Sequence, residues 1–242
     1  MSSHVNTAMI MAAGKGTRMM PLTADRPKPL IEVAGVALLD HVLDHLRGAD
    51  VSKVVINAHY RAGQVEQHMA ENAGDLDVTI SNERELLLDT GGGLVRALPY
   101  ICDDPFLCVN ADNWWIDEGD NAFERLMAAW DDEAMDVLML VVPLAGANNT
   151  QGQGDFDIDA TGRLSRRKAN QKGAFVWTGI QMLAKRLIVD PPSDVFSTNV
   201  FWDRAIAEGR GFGLVHEGLW FDVGYPAAIL ATEQKLAEYA GG

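Results

Sequence analysis

The sequence is poor in cysteine: Cys102 and Cys108 are the only two in 242 residues. Two thiols are too few for the disulfide framework of a secreted domain, and the histidines show no spacing typical of a metal site. We therefore expect two buried thiols in a reducing compartment, with a disulfide or a metal pair as the alternative.

The sequence also has few positive charges and no long apolar run. Lys and Arg number 20 against 34 Asp and Glu, which gives a net charge of −14. Such a surface repels phosphate backbones and anionic lipids, so neither nucleic acid nor a membrane is expected as a partner. No stretch approaches the ~20 apolar residues of a membrane span, and the first residues lack the pattern of a signal peptide. We expect a cytoplasmic protein, and the sequence leaves a monomer and a homo-oligomer both open.

The sequence does contain a repeated alternation of short apolar segments with segments of helical periodicity. This βα pattern predicts a mostly parallel sheet with helices on both faces, and ligands bound beyond the carboxyl ends of its strands. We interpret residues 1–242 as one domain, with the polar stretch 145–172 as a β insertion or lid. The predicted strands are 8–13, 53–57, 77–80, 106–109, 136–142, 174–180 and 218–224, and the predicted helices are 38–46, 64–71, 93–98, 122–130 and 226–239.

The first predicted strand continues directly into a glycine loop that carries positive charge. Gly14 and Gly16 let the backbone turn sharply and bring its N–H groups close to an anion. Lys15 and Arg18 add fixed charge, and Lys28 adds a third cation between two prolines. This arrangement predicts a phosphate-binding site, although a tight turn with surface cations is the alternative.

Two familiar phosphate loops are excluded by spacing. A Walker A loop requires Ser or Thr directly after its lysine, but Lys15 is followed by Gly16. A dinucleotide-binding loop requires a third glycine three residues after the second, and Met19 occupies that position. A nicotinamide-dependent oxidoreductase is therefore disfavoured.

Two aspartates follow predicted strands and are candidate metal ligands. Asp112 comes after the apolar run 106–109, and Asp222 comes after Trp220 and Phe221. Carboxylates delivered to one edge of the sheet could together hold one Mg²⁺, which prefers hard oxygen ligands. Each could instead be an ordinary turn-forming aspartate.

The run from Gly14 to Leu30 reads G-x-G-T-R-x-x-P-L-T-x-x-x-P-K-P-L, which resembles the signature of the sugar-phosphate nucleotidyltransferases. The D-T-G-G-G segment at 89–93 and the segments around Asp112, Trp177 and Asp222 resemble the N-acetylmuramate-1-phosphate uridylyltransferases of cell-wall recycling. This resemblance implies a three-layer Rossmann-like nucleotidyltransferase fold with a mixed, mostly parallel sheet. It also implies Mg²⁺-dependent transfer from a nucleoside triphosphate, UTP by this resemblance, to a sugar-1-phosphate, with release of pyrophosphate.

The resemblance also implies a role for individual residues. Arg18 grips the β- and γ-phosphates, Lys28 bridges the α-phosphate and the sugar phosphate, and Asp112 and Asp222 hold the metal. The implied nucleotide contacts are Ala12, Ala13, Gly14, Lys15, Gly16, Thr17, Glu83, Thr90, Gly91, Gly92 and Asn110. The implied sugar contacts are Gly154, Lys168, Asn170, Trp177 and Thr178.

The identity of the acceptor is the part that the sequence leaves open. Where the wider family shows a Glu-Lys pair, the stretch 165–170 reads S-R-R-K-A-N and has no glutamate. Its cations could bind a carboxylate such as the lactyl group of muramate, or could form an ordinary solvated stretch. A mannose-1-phosphate guanylyltransferase, a cytidylyltransferase for a small phosphorylated alcohol and a non-catalytic regulatory subunit remain the alternatives. Such a subunit would be expected to lose Arg18, Lys28 or a metal aspartate.

Overall fold

The structure is a computed structural model that describes residues 5–241. Residues 1–4, which enter the expectations about a signal peptide and the domain boundary, lie outside the described residues, as does residue 242. The helices of the described range are α1 (Leu38–Gly48), α2 (Ala62–Asn72), α3 (Asp89–Ala97), α4 (Ala122–Ala129), α5 (Asn199–Ala207) and α6 (Pro226–Ala240). Among residues 5–241, no helix is long and apolar enough to cross a membrane.

The strands of the same range are short and alternate with these helices. They are β1 (Thr7–Met11), β2 (Glu32–Val33), β3 (Val36–Ala37), β4 (Lys53–Ala58), β5 (Asp77–Asn82), β6 (Phe106–Asn110), β7 (Asn113–Asp117), β8 (Val137–Pro143), β9 (Ala147–Asn148), β10 (Phe156–Ile158), β11 (Leu164–Arg166), β12 (Phe175–Leu183), β13 (Gly211–Val215) and β14 (Gly218–Asp222). Helix α5 and strand β13 were not predicted from the sequence.

A mixed, mostly parallel sheet forms the centre of the protein, as predicted. Its main strands lie in the order β13–β8–β12–β6–β1–β4–β5. Strand β12 is antiparallel to β6 and β8, whereas β1, β4, β5 and β6 run parallel to one another. The parallel strands β1, β4 and β6 therefore end at one common edge.

Helices cover both faces of this sheet because its central strands are apolar on both sides. Ile10 and Val109 pack in the core beneath α1, α2 and α4, whereas Met9 and Cys108 pack in the core beneath α3 and α5. This arrangement gives the three layers that were predicted. Cys108 is buried as expected, but Cys102 is exposed, so the expectation of two buried thiols is wrong for Cys102.

The stretch 145–172 contributes short strands to two sheets. Strands β10 and β11 form an antiparallel hairpin that joins the main sheet through the start of β12. Strand β9 pairs instead with β14, which pairs on its other side with β7, and these three strands form a second, small sheet. The small sheet packs against the end of the main sheet where β6 stops.

Candidate functional site

A cleft of about 480 Å³ lies at the edge where strands β1, β4 and β6 end. Its size is in the range of small-molecule sites in proteins, about 300 to 1,000 Å³. Ten of the residues predicted for the site line this cleft: Ala12, Ala13, Gly14, Gly16, Thr17, Arg18, Lys28, Thr90, Asn110 and Asp112. The structure therefore brings the glycine loop together with Arg18, Lys28 and one candidate metal ligand, Asp112.

The glycine loop has a conformation that requires Gly16. This residue has a φ of +62°, and an added Cβ would lie 3.0 Å from Cβ of Lys28. Its carbonyl accepts a hydrogen bond of 2.9 Å from the hydroxyl of Thr23. Gly16 thus permits the close approach between the loop and the segment that contains Lys28. Lys15, a predicted nucleotide contact next to Gly16, is exposed and does not line the cleft.

Lys28 reaches across the cleft to the carboxylate of Asp112. Its Nζ lies 2.5 Å from Oδ2 of Asp112, and the Lys28 side chain is 10% exposed whereas that of Asp112 is 34% exposed. Charge-assisted hydrogen bonds of this kind are about twice as strong as neutral ones. The pair therefore holds a cation and a carboxylate together at the cleft.

The two candidate metal ligands are brought together by the small sheet. Asn113, the residue after Asp112, is the register partner of Asp222 across the antiparallel pair β7–β14. The sequence had suggested two separate strand ends of one sheet, and the actual connection is this antiparallel register. Burial raises the pKa of the Asp222 carboxyl, the charges of Lys28 and Arg18 oppose that rise, and the charge of Asp112 adds to it.

Arg18 lies over Gly224, just beyond Asp222. An added Cβ at Gly224 would lie 3.2 Å from Nη1 of Arg18 and 2.7 Å from Oδ1 of Asp222. Among residues 5–241, Arg18 forms no ion pair, so its guanidinium is available to an anion. The described residues contain no group of three or more histidines, cysteines and acids that could hold a metal, so a metal here would rely on two carboxylates and on ligand oxygens.

The triple glycine lies inside a helix rather than before one. Helix α3 begins at Asp89, and the N–H groups of Gly91 and Gly92 donate to the carbonyl of Phe196 at 2.8 and 3.2 Å. An added Cβ at Gly92 would lie 2.0 Å from the carbonyl oxygen of Asp194. These two N–H groups are therefore bound to the neighbouring segment, and neither glycine lines the cleft. The nucleotide contacts implied for Gly91 and Gly92 stay a prediction.

Glu83, another predicted nucleotide contact, is only 1% exposed and does not line the cleft. Its Oε1 accepts a hydrogen bond of 2.7 Å from Nδ2 of Asn57, and its Oε2 accepts one of 3.2 Å from the N–H of Leu88. Burial raises the pKa of the Glu83 carboxyl above its ordinary value, and both hydrogen bonds oppose that rise. The side chain therefore acts within the protein and not on a bound ligand.

One of the predicted sugar contacts, Thr178, lies in the core, and another, Trp177, is half-buried and packs against it. Thr178 is fully buried, and its hydroxyl donates to the carbonyl of Leu140 at 2.8 Å. Trp177 packs against Trp202 with ring centroids 4.5 Å apart, and its Nε1 donates to the carbonyl of Ile180. The hydroxyl of Thr178 is therefore already bound inside the protein, which corrects the expectation for this residue, whereas the sugar contact of Trp177 stays a prediction.

The other three predicted sugar contacts lie outside the cleft lining. Gly154 has a φ of +79°, and an added Cβ there would lie 2.3 Å from the carbonyl oxygen of Gly173. Lys168 and Asn170 are exposed in the connection between β11 and β12. The close contact with the backbone of Gly173 thus explains why position 154 is a glycine. For Lys168 and Asn170, contact with a sugar stays a prediction.

Nine residues that line the cleft were not predicted as site residues, among them Asn57, Asp89 and Val195. Asn57 follows the apolar residues of β4 and lies at the same edge of the sheet as Asn110. Because ligands bind beyond the carboxyl ends of parallel strands, its position in the sequence could have indicated a site residue. Asp89 lines the cleft with a φ of +59°, a conformation that aspartate tolerates better than most residues. Val195 is 46% exposed and comes from the long connection before α5, for which the sequence has no clear signal.

Comparisons with known proteins agree with this geometry. The family model described as nucleotidyl transferase matches residues 7–239. A relative from Caulobacter vibrioides, named N-acetylmuramate alpha-1-phosphate uridylyltransferase, is 41% identical over 98% of this chain and 100% of its own length. A relative of the same name from Neisseria meningitidis serogroup B is 30% identical over 95% of this chain and 97% of its own length.

The fold is also found among solved structures. HddC from Yersinia pseudotuberculosis, complexed with GMP-PN, has a TM-score of 0.77 at 23% identity, with 96% of this chain and 100% of that chain covered. At this identity the likeness concerns the fold. Because the family match and both relatives span almost the whole chain, the protein belongs to the nucleotidyl transferase family of enzymes, as the glycine-loop signature predicted.

Proposed function

We propose that the protein transfers a uridylyl group from UTP to N-acetylmuramate 1-phosphate, with Mg²⁺, in the recycling of cell-wall sugar. The observation that carries this proposal is the 41% identity, over almost the entire chain, to the Caulobacter vibrioides relative of that name. The cleft supports it, because Lys28, Arg18 and Asp112 line one site at the sheet edge where ligands of such folds bind.

In this proposal the positive charges of the cleft bind the phosphates. Arg18 is exposed and without an ion pair among residues 5–241, and it binds the β- and γ-phosphates that leave as pyrophosphate. Lys28 binds the α-phosphate and the phosphate of the acceptor, whose oxygen attacks the α-phosphorus. Each lysine ammonium has three donors, so Lys28 can contact phosphate oxygens and keep its bond to Asp112.

The donor set of the cleft fits Mg²⁺. Asp112 and Asp222 supply carboxylate oxygens, and the charge of Asp112 raises the cost of the negative charge on Asp222, which a divalent cation would relieve. Mg²⁺ is commonly held by one or two carboxylates together with substrate phosphates and water. When bound, the ion neutralises charge on the phosphates and on the developing transition state. The two aspartates would hold it.

The exposed cations after β11 support an acceptor that carries a carboxylate. Ile180 pairs with Val109 near the end of β6, so the start of β12 extends beyond that end, on the side of the cleft. The connection that precedes β12 therefore lies at the same edge and presents Arg167, Lys168 and Lys172, all exposed. These cations would attract the lactyl carboxylate of N-acetylmuramate, which N-acetylglucosamine lacks.

A substrate matrix tests the proposed function. Purified protein with Mg²⁺ is offered UTP, GTP, CTP or ATP together with the 1-phosphates of N-acetylmuramate, N-acetylglucosamine, glucose or mannose, and pyrophosphate release is measured. We expect UTP with N-acetylmuramate 1-phosphate to react fastest, and chelation of Mg²⁺ to abolish the reaction. Preference for GTP with mannose 1-phosphate would replace the proposed substrates, and no release with any pair would contradict the enzyme assignment.

A further inference from the structure

Three hydrogen bonds join the glycine loop to the segment before helix α3. The N–H of Ala12 donates to Oδ1 of Asn57 at 2.6 Å, and Nδ2 of Asn57 donates to Oε1 of Glu83 at 2.7 Å. The N–H of Leu88 donates to Oε2 of Glu83 at 3.2 Å. Asn57 and Glu83 are each 1% exposed, so these bonds form inside the protein, away from solvent.

The chemistry of this chain of bonds admits few residue types. Both ends are backbone N–H donors, so the side chains between them must accept at both ends and share one proton in the middle. An amide beside a carboxylate meets this need, because the amide accepts from Ala12 and donates to Glu83, whereas the carboxylate accepts twice. Two amides would leave one donor facing another, and two carboxylates would face each other without a proton.

Glu83 is a costly residue to keep at this position. Among residues 5–241 it forms no ion pair, and a buried carboxylate without a cation is unfavourable unless its oxygens are hydrogen-bonded. Helix α3 packs directly on the pair: an added Cβ at Gly93 would lie 2.7 Å from Oε1 of Glu83 and 2.8 Å from Nδ2 of Asn57. The third glycine of the D-T-G-G-G segment therefore makes room for this contact.

We propose that Asn57 and Glu83 form a positioning pair that sets the two walls of the nucleotide site relative to each other. Ala12 belongs to the wall formed by the glycine loop, and Leu88 precedes Asp89 and Thr90, which line the opposite wall. Glu83 is a positioning residue, since it does not line the cleft and acts on the site through its hydrogen bonds with Asn57 and Leu88. The inference rests on the proposed function only for the identity of the nucleotide as UTP. The hydrogen bonds from Ala12 to Leu88 do not depend on it.

A swap of the two side-chain types tests the pair. In Asn57→Asp two carboxylates face each other, and in Glu83→Gln one amide N–H group faces another donor. In the double variant Asn57→Asp/Glu83→Gln, Asp accepts from Ala12 and from the new amide, and Gln accepts from Leu88, so all three bonds can form again. We expect each single variant to raise KM for UTP about tenfold or more, because each variant loses one buried charge-assisted hydrogen bond. We expect the double variant to recover to within about threefold of the wild type.

Two further readouts separate positioning from simple stability. KM for N-acetylmuramate 1-phosphate should change less than about twofold in the single variants, since neither residue faces the acceptor side. In protein without any ligand, the amides of Ala12 and Leu88 should exchange with solvent deuterium faster in each single variant and return to wild-type protection in the double variant. Ser81→Ala is the matched control, since Ser81 is equally buried, near Glu83 in sequence, and its hydroxyl has no hydrogen-bond partner among residues 5–241.

The results separate this inference from the proposed function. If the wild type fails to release pyrophosphate from UTP, the proposed function is wrong, and the same cycle is measured with the best pair of the substrate matrix. If the single variants lower the melting temperature but leave the nucleotide KM and the exchange of Ala12 unchanged, the positioning pair is wrong. Equal damage in the double variant and in the single variants would also refute it.

Discussion

A pH-dependent contribution to the stability of the protein should come from His41. This residue lies in α1, stacked on the indole of Trp114 with ring centroids 4.0 Å apart and planes 10° apart. Its Nε2 accepts a hydrogen bond of 3.2 Å from the N–H of Trp115. Burial, followed by the nearby His45, lowers the pKa of His41 from 6.5 to about 3, and Asp117 only partly offsets this.

The sign and the size of the effect follow from this pKa. In the unfolded chain His41 takes up a proton as the pH falls through 6.5, whereas in the folded protein it stays neutral down to about pH 3. Protons therefore favour the unfolded state, and stability is lost as the pH falls below 6.5. At about 1.4 kcal/mol for each pH unit, the loss amounts to about 2 kcal/mol at about pH 5.

Urea unfolding of the wild type and of His41→Gln, at about pH 5 and about pH 6.5 and at one ionic strength, measures this effect. Glutamine keeps an acceptor for the N–H of Trp115 and does not titrate. The free energy of unfolding of the wild type should fall by about 2 kcal/mol more than that of the variant between the two pH values. Burial also lowers the pKa of His216 with the same sign, so some loss should remain in His41→Gln. Equal losses in the two proteins would refute the assignment to His41.

Two further predictions concern the cleft and its wall. Asp112→Asn should reduce turnover by about a hundredfold or more without unfolding the protein. The control Asp50→Asn should leave turnover unchanged, because Asp50 is exposed, lies outside the cleft and has a φ of +56° that asparagine tolerates. Near-normal turnover of Asp112→Asn would remove this residue from the metal site. Gly92→Ala should lower the free energy of unfolding by about 2 kcal/mol or more, since its Cβ would overlap the carbonyl of Asp194. The control Gly63→Ala, in a helix with nothing within 4 Å of its Cβ, should leave stability unchanged or raise it by up to about 1 kcal/mol, and equal melting temperatures for the two alanine variants would contradict the overlap.

The sequence was sufficient where the physical cause of a feature is local. The short apolar run before Gly14 predicted the buried strand β1, and the cations near the glycines predicted that Arg18 and Lys28 line the cleft, although Lys15 does not. Thr178 shows where such reasoning fails. A buried threonine bonded to a strand carbonyl and a threonine bonded to a ligand look alike in sequence, because the partner of the hydroxyl comes from 38 residues away along the chain. The same holds for Gly91, whose amide partner, the carbonyl of Phe196, lies in a distant segment.

The segment Trp177–Gly179 joins the two sheets, and this junction explains how Asp112 and Asp222, the two candidate metal ligands, are placed. Gly179 has a φ of +87° at the bulge of β12, and an added Cβ would lie 2.2 Å from Nδ2 of Asn113. The carbonyl of Thr178 accepts a hydrogen bond of 3.0 Å from Nε1 of Trp220, on strand β14. The bulge therefore contacts β7 beside Asp112 and β14 just before Asp222. Asp222 ends strand β14 of the small sheet and Asp112 directly precedes its strand β7, whereas the glycine loop follows β1 of the main sheet. The distance between carboxylates and cations therefore depends on this junction, which local sequence signals around either aspartate do not contain.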